Sequence, residues 1–367
     1  MRIVLTGGGT GGHVFPLIAV SRELKKQDPS VELLYIGTAA QMGKIMAKEI
    51  KKEQIPVKNI YAAKLRRYFS FEYFVDFFKF PISIIQSMYH LFVFMPDAVF
   101  SKGGYVSVPV VLVAWLFRIP VLTHESDASP GIANRLIGKF SKFIAISYPE
   151  TRKYFVSHKV LLTGNPIREE MTNGVPERAY KKWKLQSEVP VVFVVGGSQG
   201  SRIINEAILK VLPSISKMAQ IIHVTGPNNY DEVLISAGKI GFKSGHSRYT
   251  AVPYLTRDDM ADMYSITSLI ISRAGANSIT EIAANKLVSI LIPFESHDQP
   301  MNAFAIAKMG GALVLEESNL GPHILELKIK ELLRSSTLRK QMQENIYKFY
   351  HPDAAKKIVD GIYKMLN

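Results

Sequence analysis

IVLTGGGTGGHVFPLIAV, residues 3–20, places a short run of β-forming residues before five glycines, and the glycines before a helical pattern of apolar residues. Strand, bare turn and helix in that order open a βαβ unit. VVFVVGGSQGSRIINEAI, residues 191–208, repeats the order. Each half of the chain begins in the same way, so two doubly wound α/β domains with parallel sheets are expected. Outward from the first turn the alternation continues, with helices over 17–26 and around 42–51 and strands over 31–36, 98–101, 120–123 and 143–146. A polar, charged stretch over 168–188 interrupts it and puts a boundary near Gly164; strands resume over 189–195, 220–224, 269–272 and 288–292.

A glycine turn between strand and helix lets ligand oxygens approach the backbone, and the helix dipole favours negative charge there. Gly7, Gly9 and Gly12 have the G-x-G-x-x-G spacing of a dinucleotide site. Such a site also needs an acid at the end of the second strand to hold a ribose. Here that strand runs into Gly37 and Thr38, and Glu32 stands at its beginning. The turn therefore reads as an anion site without a dinucleotide cofactor.

At 367 residues, 47% hydrophobic and 21% charged, the chain has the size of two globular domains. Its 45 basic and 31 acidic residues give a net charge of +14, a field that attracts polyanions. The basic residues are not interleaved with aromatics on a nucleic-acid module, so no nucleic acid is expected as a partner. The absence of cysteine rules out disulfides and thiolate metal sites and suits a reducing compartment. The apolar run over 3–5 is too short for a signal peptide, so the protein is expected to stay where it is made.

Seven motifs stand in order: GGGTGGHVFP, SKGGYVSVPV, HESDASPGIAN, GNPIR, GGSQGS, RAGANSITEI and PFESHDQPMNA. Together they resemble the MurG family of peptidoglycan glycosyltransferases, from Met1 through at least Gly311. The resemblance implies a GT-B fold, two Rossmann-like domains facing across a cleft. Residues 1–163 would form the acceptor and membrane-associating domain, residues 164–349 the UDP-sugar domain, and a helix over about 350–367 would cross back to the first. It implies transfer of N-acetylglucosamine from UDP-N-acetylglucosamine to the C4 hydroxyl of undecaprenyl-pyrophosphoryl-MurNAc-pentapeptide (lipid I), with inversion, giving lipid II. No cofactor and no bound metal are implied, and no HxxEH or clustered Asp, His and Cys pattern suggests one.

For the donor, Ala276, Asn277 and Ser278 fall at a helix N-terminus after a strand, where backbone N–H groups can receive a diphosphate. The resemblance gives Glu281 the ribose hydroxyls, Ser198 a phosphate contact, Arg168 a place beside the nucleotide, Leu255 a backbone that reads uracil, and Gln299 the sugar hydroxyls. Thr10, Gly11 and Gly12 would meet the donor sugar or the acceptor pyrophosphate, and Tyr105 and Asn134 match acceptor positions. The attacking hydroxyl needs a base. His13 and Glu125 are both candidates. Many family members have HEQN where this chain has Ser126 and Asp127, which makes Asp127 a third. The sequence does not choose among them.

Residues 61–95 hold twelve aromatic residues. Glu72, Asp76, Lys79 and Pro81 interrupt the segment, so it does not read as a membrane span. Phe71, Phe74, Val75 and Phe78 recur at helical spacing beside Lys64, Arg66 and Arg67, the pattern of an interfacial helix on anionic phospholipid or of ordinary core. With a lipid-linked acceptor the expected location is the cytoplasmic face of the cell membrane, as a peripheral protein. Rival activities are UDP-sugar transfer to diacylglycerol and 2-epimerisation of UDP-N-acetylglucosamine.

Overall fold

The structure, a computed structural model, describes residues 1–8, 11–38, 43–61, 71–197, 199–243, 248–295 and 298–366, with backbone alone over 43–47 and 71–78. It divides into two compact units, Met1–Arg168 with His351–Asn367, and Glu169–Tyr350. The GNPIR motif, Arg168 included, thus belongs to the first unit.

Among the described residues the first sheet has seven parallel strands: β1 Arg2–Thr6, β2 Glu32–Gly37, β3 Val57–Asn59, β4 Ala98–Ser101, β5 Val121–Glu125, β6 Phe143–Ile146 and β7 Val160–Leu162. Their order is β3-β2-β1-β4-β5-β6-β7. A parallel sheet is covered on both faces, which is why its central strands β1, β4 and β6 read as runs of consecutive apolar residues. Ile3 and Leu5 point to one face, against Leu17 and Ile18 of the helix Gly11–Gln27 and Ile358 and Ile362 of the helix Ala354–Leu366. Val4 and Val99 point to the other, against Val110 and Val111 of the helix Ser107–Leu116. The last helix of the chain thereby completes the first core, and Lys142 Nζ caps it by donating to Met365 O at 2.7 Å.

The second sheet contains β8 Val191–Val195, β9 Gln220–Val224, β10 Tyr249–Val252, β11 Leu269–Ser272, β12 Ser289–Leu291 and β13 Leu313–Val314. They lie parallel in the order β10-β9-β8-β11-β12-β13, the doubly wound order of a Rossmann fold. Four short strands, β3, β7, β10 and β13, go beyond those expected from the sequence. β5 also extends to Glu125, two residues past the expected end, and Glu125 pairs with Ile146.

Candidate active site

In an open parallel sheet, ligands bind beyond the carboxyl ends of the strands where the strand order reverses. In the first unit that point lies between β1 and β4, which are neighbours although β2 and β3 separate them in sequence. The turn after β1 starts at Gly7, and the turn after β4 is Lys102-Gly103-Gly104. His13, on the first turn of the helix Gly11–Gln27, places its imidazole between the two: a Cβ on Gly8 would lie 2.9 Å from Nδ1, and one on Gly104 3.3 Å from Nε2. The bareness of Gly8 and Gly104 thus makes room for the imidazole. Loss of hydration, then the charge of Lys102, drives the His13 pKa down to about 3. His13 is neutral at physiological pH, a donor or acceptor of a hydrogen bond and a weak base.

The position of a ribose-binding acid is closed by Tyr35. Its ring crosses Gly37, where a Cβ would lie 2.5 Å from it, and its hydroxyl donates to Gly7 O at 2.9 Å.

Glu125 closes β5 with its side chain 3% exposed. Asn134 Nδ2 donates to Oε2 at 2.8 Å, and the Asp127 N–H donates to Oε1 at 2.9 Å. Burial, followed by the negative charge of Asp127, raises the Glu125 pKa to about 7, against the opposing pull of Lys102 and the two donors. A carboxylate poised near neutrality can take a proton at working pH. Asn134 reaches it because Gly103 is bare: a Cβ there would lie 1.9 Å from Asn134 Oδ1, and Gly103 holds φ +85°. The structure brings His13, Glu125, Asp127 and Asn134 to one end of the first sheet. It adds Lys102, whose buried ammonium donates to Ser126 Oγ at 2.9 Å. A lysine after a strand ordinarily reads as solvated, and its only sequence signal is the two glycines that follow.

Gly11 and Gly12 open the first helix, Gly12 exposed and Gly11 half-buried; Thr10 lies outside the described residues. Tyr105 is half-buried against the core under the helix Ser107–Leu116. The Arg168 guanidinium lies 3.8 Å from the Phe15 ring centroid and 3.8 Å from Glu49 Oε2, inside the first unit.

In the second unit the order reverses between β8 and β11. After β8, Gly200 and Gly226 hold positive φ and press together, so that a Cβ on Gly200 would lie 1.9 Å from Thr225 O. Ser198 lies outside the described residues. After β11, the helix Ala276–Ala284 starts behind Gly275, which has no side chain to cap it. The positive end of its dipole, at Ala276, Asn277 and Ser278, suits a diphosphate. Glu281, one turn on, accepts from Tyr264 Oη at 2.9 Å. Leu255 is buried, so its side chain belongs to the core. Gln299 begins the helix Gln299–Lys308, and its Oε1 accepts from Ala274 N at 3.3 Å and Phe294 N at 3.0 Å.

Arg273 braces this end, a task with no local signal in the sequence. It donates to Ser201 Oγ at 2.6 Å and Ile292 O at 3.1 Å and pairs with Glu317 at 2.5 Å, tying together the segments after β8, β11 and β12. Below the glycine turn, His223 is buried between Asn205 Oδ1 at 2.9 Å and Tyr249 Oη at 3.0 Å, and burial lowers its pKa to about 3.

Two family models match the chain: the glycosyltransferase family 28 N-terminal domain over residues 3–146 and its C-terminal domain over residues 191–358. A Clostridium perfringens UDP-N-acetylglucosamine–N-acetylmuramyl-(pentapeptide) pyrophosphoryl-undecaprenol N-acetylglucosamine transferase is 36% identical, the match covering 100% of this chain and 97% of that one. The crystal structure of Acinetobacter baumannii MurG superposes with a TM-score of 0.76 at 25% identity, covering 99% of each chain. A Neisseria meningitidis UDP-GlcNAc 2-epimerase bound to UDP-GlcNAc shares the fold at a TM-score of 0.73 and 13% identity, over 99% of this chain and 100% of that one. The fold is of the GT-B class, with two parallel-sheet α/β units. The chain belongs to glycosyltransferase family 28, among relatives named as UDP-N-acetylglucosamine–N-acetylmuramyl-(pentapeptide) pyrophosphoryl-undecaprenol N-acetylglucosamine transferases.

Proposed function

We propose that this protein transfers N-acetylglucosamine from UDP-N-acetylglucosamine to the C4 hydroxyl of the muramyl sugar of lipid I, inverting the anomeric carbon and forming lipid II for the cell wall. One observation carries the reading: a chain that matches an enzyme named for this transfer over 97% of that enzyme's length holds a buried carboxylate, Glu125, poised near neutrality at the switch point of its first sheet. Glu125 takes the proton of the attacking hydroxyl as the glycosidic bond to UDP breaks. Asn134 and the Asp127 N–H orient it. His13 hydrogen-bonds an acceptor phosphate or the donor sugar as a neutral imidazole; with its pKa near 3 it is the weaker base. Asp127 acts through its charge.

The diphosphate of the donor sits at the N-terminus of the helix Ala276–Ala284, whose dipole stabilises the charge that develops on UDP. Glu281 accepts from the ribose hydroxyls, Gln299 meets the sugar through its amide nitrogen, and the Leu255 backbone reads the base.

The first unit rests on an anionic phospholipid surface, on the cytoplasmic side. Among the described residues no helix is long and apolar enough to cross a membrane. The helix Phe71–Phe94 nevertheless turns its apolar face outward. Ser83, Ser87 and Leu91 are buried, whereas Ile82, Ile85, Tyr89 and Phe92 are exposed at helical spacing, with Trp115 and Leu116 exposed on the helix packed beside it. That arrangement favours a lipid surface over a core assignment for this part of the segment. The side chains of Phe71, Phe74, Val75 and Phe78 and all of Lys64, Arg66 and Arg67 lie outside the described residues.

Incubation with labelled UDP-N-acetylglucosamine and a short-chain lipid I analogue should give UDP release that depends on the acceptor and a labelled disaccharide lipid. Equal UDP release without acceptor, as a 2-epimerase would give, overturns the transferase reading.

A further inference from the structure

Three ionisable side chains that come from different turns share one buried end of the first sheet. Lys102 follows β4 and is 2% exposed, Glu125 ends β5 and is 3% exposed, and Asp127 lies in the turn after β5, half-buried. The Lys102 ammonium donates to Ser126 Oγ at 2.9 Å, on the residue between the two carboxylates; burial lowers its pKa below the usual lysine range, and the negative charges of Glu125 and then Asp127 oppose that fall and favour the ammonium. Other groups face the cluster. His13 and His124 lie close enough for the ammonium to lower their pKa values, Tyr148 faces Asp127, and Asn134 bonds Glu125. Neither imidazole carries charge at neutral pH, and Tyr148 holds its proton, since burial raises it well above its usual range. The charge balance therefore lies among one ammonium and two carboxylates.

Two like charges a few ångströms apart in a dry site do not both ionise at no cost, and one buried cation offsets one anion. Asp127 retains more solvent than Glu125, so its negative charge is the better hydrated of the two. We propose that Lys102 is a positioning residue for the acceptor chemistry: by balancing Asp127 and holding the Ser126 hydroxyl, it keeps Glu125 available in its ionised form. The inference rests on Glu125 as the base. It also gives Asp127 a task, since its charge and that of Lys102 act on Glu125 in opposite directions. A cluster of this kind sets the pH at which the base works without either neighbour touching substrate.

The test is the pH dependence of kcat/KM for the lipid I analogue, which reports groups of the free enzyme. Lys102→Met, which keeps the length of the stem and removes the charge, should move the acidic limb upward by about one pH unit or more. Asp127→Asn should move it downward. The double variant K102M/D127N should return the limb to within about half a unit of the parent, a coupling that loss of packing would not produce. If Lys102→Met fails to fold, Lys102→Gln, which removes the charge and keeps a polar partner for the Ser126 hydroxyl, takes its place in both the single and the double variant. A limb that stays in place in Asp127→Asn, or a double variant that differs from the parent as much as Lys102→Met does, overturns the inference. Glu125→Gln separates it from the reading beneath it. If that variant keeps its turnover and profile, the base lies elsewhere and both fall. If it loses turnover while the limbs of the other variants do not move, only the task of Lys102 is refuted.

Discussion

Replacing Gly103 by alanine tests the clamp on Glu125. Gly103 holds φ +85°, and a Cβ there would lie 1.9 Å from Asn134 Oδ1 and 2.5 Å from Nδ2. Keeping an L-residue at positive φ costs about 1–2 kcal/mol. Driving Asn134 aside also breaks its 2.8 Å bond to the Glu125 carboxylate, worth about 1.5–3 kcal/mol for a bond to a charged group. The combined loss of roughly 3–5 kcal/mol corresponds to a fall in Tm of the first unit of about 6–20 °C. Gly104→Ala is the internal reference. It has φ +80°, but its Cβ would come no nearer than 3.3 Å to His13 Nε2, so it bears the backbone cost without displacing Asn134. Gly131→Ala, whose Cβ meets nothing within 4 Å, should leave Tm within about 2 °C of the parent. The assay is thermal unfolding by circular dichroism, with turnover measured on the same samples. Gly103→Ala should unfold well below Gly104→Ala and lose turnover with it. Equal Tm values for the two would mean that Asn134 is not held against Gly103 and that the clamp is misread.

The second unit should respond to acid through His223, whose folded pKa near 3 lies below its ordinary 6.5. The unfolded chain binds the proton first, so stability is complete above about pH 6.5 and is lost as the pH falls toward 3, on the order of 4 kcal/mol if the shift is realised in full. Urea unfolding of His223→Gln should show a flatter dependence on pH between 7 and 4, and an unchanged slope would exclude His223 as the cause. Arg273→Ala should raise the donor KM and destabilise the second unit by about 3–5 kcal/mol, because Glu317 is left buried without its partner. Restoration of stability by Glu317→Gln in the same chain, with KM still high, would identify the guanidinium as the brace of the donor turns; a normal KM in Arg273→Ala would refute that role. Phe92→Glu, at a site 73% exposed, should leave Tm unchanged and weaken binding to vesicles containing phosphatidylglycerol by roughly tenfold or more. Undiminished sedimentation with those vesicles would remove this face from the membrane contact.

Much of the fold is legible in the sequence for a definite reason. The central strands β1, β4, β6, β8 and β11 are covered on both faces, so each carries at least three consecutive apolar residues, and glycine marks where β1 and β8 end. Edge strands lack that signal. Val57–Asn59 is a lysine and an asparagine beside one valine, and only pairing with β2 makes it a strand. The same difference separates the site residues. Ala276, Asn277 and Ser278 were legible because a helix N-terminus is a local property. Glu125 is legible as a carboxylate near a strand end but not as a buried one, since its surroundings include Asn134, nine residues on, and Lys102 from the turn after β4.

By itself the sequence determined the two-fold repetition of strand, bare turn and helix, because that pattern is written in hydrophobic periodicity and in glycine's freedom at positive φ. The seven motifs determined the kinship. Only the tertiary structure decided what Gly8 and Gly104 are bare for on their protein side, the imidazole of His13 held between them. It also decided the surroundings of each candidate base. A pKa is set by solvent exclusion and by charges brought together from distant turns, here Lys102, Glu125 and Asp127, and no local stretch of chain contains that sum.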